Sequence, residues 1–248
     1  TFLYNDDTIT YPRSFRGSYS FSSLANFLSG TYNNAGFTQT FANSVVSQGN
    51  ANFGIYLQDE WHFSRNLTIN AGLRYDLQYL KTINTDTNNV SPRLGIAWTP
   101  FGRRTTVVRA GYGLYYDRVP LRALANALLS AGNTTTVSAL SQVSISLSPT
   151  QSGAPVFPNI LSTLTIPTGV LFNFTTMNPN MENAYSTQAN LEIEQQLGRK
   201  SAVSIGYQHV RGLHLIVSIN QNVPTCAASG ANNGCRPNPN YANNSQYS

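Results

Sequence analysis

From Phe53 onward, apolar and polar residues alternate. Phe53, Ile55, Leu57 and Trp61 hold the odd places with Asp59 among them, and Asn52, Gly54, Tyr56, Gln58 and Glu60 hold the even ones. After "HFSRN" the pattern resumes with Leu67, Ile69, Ala71, Leu73, Tyr75 and Leu77 against Thr68, Asn70, Gly72, Arg74, Asp76 and Gln78. Side chains of a strand point to opposite faces in turn, so this period of two means strands with one apolar face. That face must meet either a packed core or a lipid, and the choice bounds every later statement about function.

The same reading predicts strands near 52–62, 67–80, 91–99, 105–117, 184–197 and 202–212. Leu94, Ile96 and Trp98 mark the third; Val108, Ala110, Tyr112, Leu114 and Tyr116 the fourth; Leu191 and Ile193 the fifth; Val203, Ile205 and Tyr207 the sixth. The turns "HFSRN", "PFGRR" and "GRKS" close hairpins, whereas the links between hairpins are long. The longest, 118–183, shows little regular pattern beyond a short helix in "VPLRALANALLS" and scattered prolines at 149, 155, 158, 167 and 179. A link of that length in a compact domain points to function. Residues 1–50 read as the end of a strand in "RGSYSFSS", a short helix in "SSLANFLSG" capped by Ser22 or Ser23, and a loop over 31–50.

A soluble sandwich also carries one-sided strands, so alternation alone does not choose. Globular strands average about 5–6 residues and membrane-crossing ones need about 9–11; the runs here match the longer class. Trp61, Phe63, Trp98 and Phe101 lie beside the short turns, while Tyr75, Tyr79, Tyr112 and Tyr116 lie toward the other ends. Aromatic rings with an apolar body and a polar tip suit the two lipid–water interfaces. Short turns at one rim and long loops at the other are the third sign. Charged residues are 10% of the chain, against about 25% in an ordinary soluble domain. The expected fold is all-β: part of an antiparallel up-and-down transmembrane β-barrel, with short periplasmic turns and long extracellular loops. Its lumen-facing candidates are Glu60, Arg74, Asp76, Arg93, Arg109, Glu192 and Glu194, and its ligand-mouth candidates are Tyr116, Asp117 and Arg118. Asp59 falls on the apolar face, but near the turn, where a charge costs about 0–1 kcal/mol.

The composition argues against other classes. A net charge of +5 without a basic stripe gives no nucleic-acid footprint, since Arg103-Arg104 and Arg199-Lys200 lie far apart. No apolar run approaches the roughly 18 residues of a membrane helix. His62, His209 and His214 have no metal spacing and read as rim or loop residues, and no Ser-His-Asp or paired-carboxylate motif stands out. The expectation is a non-enzyme without cofactor or metal. "GYG" at 111–113 lies inside a strand pattern and is no phosphate loop. Cys226 and Cys235 form a local disulfide of an oxidising compartment, or are two unrelated thiols. The chain opens at Thr1 in mid-phrase and reads as an internal fragment.

"GIYLQDEW" with "LTINAGLRYD", then "SPRLGIAWTPFGRRTTVVRAGYGLYYDR" and "NAYSTQANLEIEQQLGRKSAVSIGYQHVRG", resemble TonB-dependent outer-membrane receptors, most of all their Oar-like group. "RGSYSFSSLANFLSG" is similar to a segment that precedes them there. The resemblance implies several strands of a 22-stranded barrel in the outer membrane, with residues 1–248 inside one barrel domain. It implies as partners outer-membrane lipid, an N-terminal plug domain that this chain lacks, the TonB complex acting through that plug, and a scarce transported ligand such as a siderophore, glycan or peptide. Oar-like members often also carry a carboxypeptidase-regulatory-like domain. The rivals are a passive porin or barrel-borne adhesin, a secreted soluble β-sandwich that binds glycans, and, more distantly, a hydrolase. Burial of Ile55, Leu73, Ile96 and Leu191 between two packed sheets would overturn the barrel.

Overall fold

The alternating runs fold into long antiparallel hairpins. The computed structural model describes residues 1–11, 13–42, 45–101, 105–131, 142–162, 173–226, 235–239 and 242–248. In chain order the elements are β1 (Phe2–Thr10), β2 (Ser18–Tyr19), α1 (Leu24–Leu28), β3 (Phe37–Ala42), β4 (Val45–Ser64), β5 (Leu67–Leu80), β6 (Val90–Trp98) and β7 (Thr106–Tyr116). They continue with α2 (Leu121–Ala131), β8 (Gln142–Leu147), β9 (Phe174–Met177), β10 (Tyr185–Gln196), β11 (Ala202–Leu213), β12 (Ser218–Asn220) and β13 (Asn244–Tyr247). Two compact units result: Thr1–Asn5, Gly49–Val119 and Asn180–Ile216 form one, and Asp6–Gln48, Pro120–Pro179 and Val217–Ser248 the other.

The first unit is built on a seven-stranded sheet in the order β1-β4-β5-β6-β7-β10-β11. From β4 to β11 each strand pairs antiparallel with the next. Register turns sequence parity into whole rows. Trp61, Ile69, Ile96, Ala110, Leu191 and Tyr207 align across six strands. One residue along, on the opposite face, Glu60, Asn70, Gly95, Gly111, Asn190 and Gln208 align in the same way. The apolar rows are not covered. Ile55 is 59% exposed, Leu73 52%, Ile96 37% and Leu191 46%, so the four residues that would be buried in a sandwich stand open. Leaving such side chains in water forfeits about 1.5–3 kcal/mol each, which a bilayer restores. The strands are long enough to cross one: β5 has 14 residues, β7 11, and β10 and β11 12 each. Turns after β4, β6 and β10 are short, and the links after β5 and β7 are long. Arg103 and Arg104 of the middle turn lie outside the described residues.

The second unit holds two three-stranded sheets, ordered β2-β3-β8 and β12-β13-β9. In the first, β3 pairs antiparallel with β8, Phe37 opposite Leu147. Tyr32, Phe37, Ile145 and Leu147 form its core, with Tyr19, Phe21, Phe41 and Leu161 packed around them. In the second, β13 runs parallel to β9 and antiparallel to β12. Pro120 precedes α2, its carbonyl accepting from Ala123 and Leu124, and the helix buries Leu124, Leu128 and Leu129. Ser23 caps α1, its hydroxyl accepting from the Asn26 amide at 3.1 Å. Cys226 and Cys235 are joined by a disulfide.

Two sequence expectations need correction. Residues 31–50 are not a loop: they hold β3 and the start of β4. The reason is inverted polarity. β4 buries Gln48, Asn50 and Asn52, the reverse of the soluble pattern. β3 buries Gln39, whose amide substitutes for a strand partner by donating to the Leu161 carbonyl and accepting from the Leu161 amide, both at 3.0 Å. In the link 118–183 the expected short helix is present as α2, but β8 and β9 lie there as well; after Leu215 come β12 and β13. Those short strands pair with segments far away in sequence, β8 with β3 and β9 with β13. Local periodicity cannot reveal that.

Candidate functional site

On the polar face, parity brings every lumen-facing candidate to one side of the sheet. They form separate groups. Near the turn end, Gln58 donates to Asn70 at 3.1 Å and Asn70 to Glu60 at 2.7 Å. His62 approaches Glu60 at 3.4 Å. On β7 and β10, Arg109 stands opposite Glu192 in register but its guanidinium pairs diagonally with Glu194 at 2.8 Å.

The third group gathers Arg74, Asp76 and Arg93 with the mouth candidates Tyr116, Asp117 and Arg118 around a cleft of about 370 Å³. Arg74 grips Asp76 with two parallel bonds, Nε to Oδ2 at 2.6 Å and Nη2 to Oδ1 at 2.7 Å, the bidentate geometry that guanidinium and carboxylate favour. Gly54 makes room for it. A Cβ there would lie 2.8 Å from both Arg74 Nη2 and Asp76 Oδ1. Arg93 lies over the ring of Tyr115, 4.5 Å from its centroid, a cation–π contact. Gly113 allows that fold-back, because a Cβ at 113 would come within 2.8 Å of the Tyr115 ring.

The cleft opens where a ladder ends. β6 and β7 pair from Trp98↔Val108 to Arg93↔Gly113, and the register stops there. The next residue of β6 is Pro92, which has no N–H to donate. At and beyond the last pair, Arg93, Ser91 and Tyr115 become cleft wall. Asp117 and Arg118 extend from β7; the Asp117 amide donates to Ala184 at 2.7 Å and its carboxylate accepts from the Arg118 amide at 2.7 Å. Tyr116 also turns its ring onto Tyr185, 5.1 Å between centroids. The base is rigid. Gln78 accepts from the Val119 amide at 2.8 Å and donates to Asn50 at 3.2 Å. Directly across from Gln78, Asn52 is buried, and neither of its amide atoms has a hydrogen-bond partner among the described residues.

Sequence reasoning did not single out Gln78, Ser91, Tyr115 or Asn183 as cleft residues. Parity signals the side for Gln78, Ser91 and Tyr115, but nothing local signals that the ladder stops at Arg93. The interface candidates are placed as follows. Trp61 and Trp98 are exposed on the apolar face near the turns; Phe63 stands in the irregularity between His62 and Ser64, and Phe101 in the next turn. Tyr75 donates to the Thr87 carbonyl at 2.9 Å toward the long loop. Tyr112 is exposed in register with Leu94 and Ala189. Asp59 aligns with Ala71 and accepts from the Glu60 amide at 2.9 Å. His209 sits inside β11 opposite Ala189, not in a rim or loop. The alternation there reverses, with Val210 on the polar face opposite Gln188. Among the described residues no group of three or more His, Cys, Asp or Glu is placed to hold a metal.

Comparison with known proteins agrees with this architecture. Residues 1–82 and 78–248 match the family model of an outer membrane beta barrel domain. Over 85 residues the chain is 34% identical to the TonB-dependent transporter Oar of Myxococcus xanthus, a match covering 32% of this chain and 8% of that protein. The outer membrane transporter YddB of Escherichia coli superposes with a TM-score of 0.57 at 17% identity, over 99% of this chain and 24% of that one. A variant of the ferric enterobactin receptor of Pseudomonas aeruginosa gives a TM-score of 0.49 at 14% identity, over 99% and 27%. The chain thus spans a small part of the length of the relatives it matches. Rows of uncovered apolar side chains, polar rows behind them and the family match agree: this chain belongs to the outer membrane β-barrel domain family, and its sheet is part of a barrel wall in the cell outer membrane, like those of TonB-dependent receptors.

Proposed function

We propose that the chain is wall and loops of a TonB-dependent outer-membrane transporter that takes up a scarce ligand at the expense of the inner-membrane proton gradient. The observation that carries this is the two-faced single sheet: exposed Ile55, Leu73, Ile96 and Leu191 on one side, and the Arg74–Asp76 and Arg109–Glu194 pairs on the other. A wall of that kind separates lipid from a wet bore. Local identity to Oar supports the energised reading over a passive one. In this reading the protein does no covalent chemistry. Ligand meets the elaborated loops, passes the cleft at Arg93 and moves through a lumen whose plug, on the same protein, TonB rearranges. Siderophores, glycans and peptides are the ligand classes in view.

The test is accumulation by living cells. A strain lacking the intact protein and one carrying it are compared for solutes removed from spent medium. The expected result is uptake that falls at least tenfold when TonB is deleted or a protonophore is added. Uptake that survives both treatments identifies a passive porin, and surface binding without uptake identifies an adhesin; either overturns the proposal.

A further inference from the structure

The cleft at the end of the β6–β7 ladder has an unbalanced charge. Arg74 is neutralised by Asp76 through two bonds. Arg93 has the Tyr115 ring beneath it, and among the described residues neither Arg93 nor Arg118 has a carboxylate within ion-pair distance. Asp117 is the remaining acid in the cleft wall, and its carboxylate accepts from a backbone amide. Asp86, whose carboxylate accepts from the Asn183 amide at 2.8 Å, is not among the lining residues. Among the residues that line this hollow of about 370 Å³, the Arg74–Asp76 pair aside, two guanidinium groups stand against one carboxylate. Two glycines keep it open. Gly54 leaves the space that the Arg74–Asp76 pair fills, and Gly113 the space into which Tyr115 folds under Arg93. Next to this wall the Asn52 amide is buried with no hydrogen-bond partner among the described residues.

We propose that this cleft is an oxyanion subsite, in which Arg93 and Arg118 bind a carboxylate or phosphate group of a small ligand while Tyr115 holds the Arg93 guanidinium flat. Guanidinium forks bind both oxyanions bidentately, and a ring stacked below fixes the fork's plane. The Arg74–Asp76 pair acts as a neutral floor. It positions the cleft wall and competes weakly for the anion, because Asp76 balances the Arg74 charge and takes two of that guanidinium's five N–H donors. The volume suits a small ligand and is at the low end for such sites. The inference rests on the lumen assignment above and deepens it by naming the chemical class the bore accepts.

The experiment is protection of arginines from phenylglyoxal in outer-membrane preparations of the intact protein, read peptide by peptide by mass spectrometry. Succinate, inorganic phosphate and sodium chloride are compared at equal ionic strength. Arg93 and Arg118 are expected to react at least threefold more slowly with succinate or phosphate than with chloride, while Arg199 in the β10–β11 turn reacts equally in all three. Protection by succinate alone assigns carboxylates, and by phosphate alone assigns phosphates. The Gly113→Ala variant, which pushes the Tyr115 ring aside without demanding a forbidden backbone conformation, should lose the protection at Arg93. Equal rates in all salts overturn the subsite, as does an Arg93 inert in every salt, which would mean that a protein group already occupies the cleft. A mobility difference between unheated and boiled samples on the same gel confirms a folded barrel. Its absence would sink the wall assignment itself and not only the subsite.

Discussion

At the residue scale, position along the strand sets the cost of a charge. Leu73 lies near the middle of β5 and is exposed on the apolar face. Leu73→Arg should destabilise the lipid-inserted protein by about 2–4 kcal/mol, whereas Trp61→Arg beside the turn should cost about 0–1 kcal/mol in charge placement. Urea unfolding from lipid vesicles measures both, and equal costs would mean that the face does not meet lipid. In the second unit, burial pushes the Tyr32 phenol up, and burial together with neighbouring Tyr32 does the same for Tyr19. A folded value above the ordinary one of about 10 means stability that is intact below pH 10 and lost as pH rises past it. The near-ultraviolet dichroism of this cluster should therefore hold to about pH 10 and then decline, and Tyr32→Phe should flatten that decline. Residue identity showed which side Arg109 and Glu194 face. It did not show that they pair, because the contact depends on register between strands 85 positions apart.

At the element scale, parity is the testable property. Spin labels at 55, 57 and 73 should be more accessible to oxygen than to a water-soluble nickel chelate, and labels at 56, 58 and 72 the reverse. Loss of that alternation would argue for a buried or two-sided wet sheet. Pro92 permits a second test. Pro92→Val restores an N–H beyond the last β6–β7 pair, so it should slow hydrogen exchange around Leu114 and narrow the cleft. Unchanged exchange would mean that the ladder ends for another reason. The long hairpins were legible because each strand carries its own alternation, and the turn residues in "HFSRN" and "GRKS" punctuate it. β3, β8, β9, β12 and β13 were not. They are short, they place polar groups such as Gln39 and Thr176 inside, and their partners are distant.

At the scale of the whole molecule, low charge, exposed apolar rows and long strands describe a chain that water alone does not support. The intact protein should sediment with outer membranes, resist carbonate washing and run faster unheated than boiled; recovery in the soluble fraction would contradict the barrel. The seven-stranded sheet stops at β1 and β11, each with a single neighbour. Their outward amides and carbonyls are unclaimed by any strand described. A piece produced alone would offer two sticky seams to its copies, and fibrous, detergent-resistant deposits are the outcome to expect when nothing else is present to zip them shut.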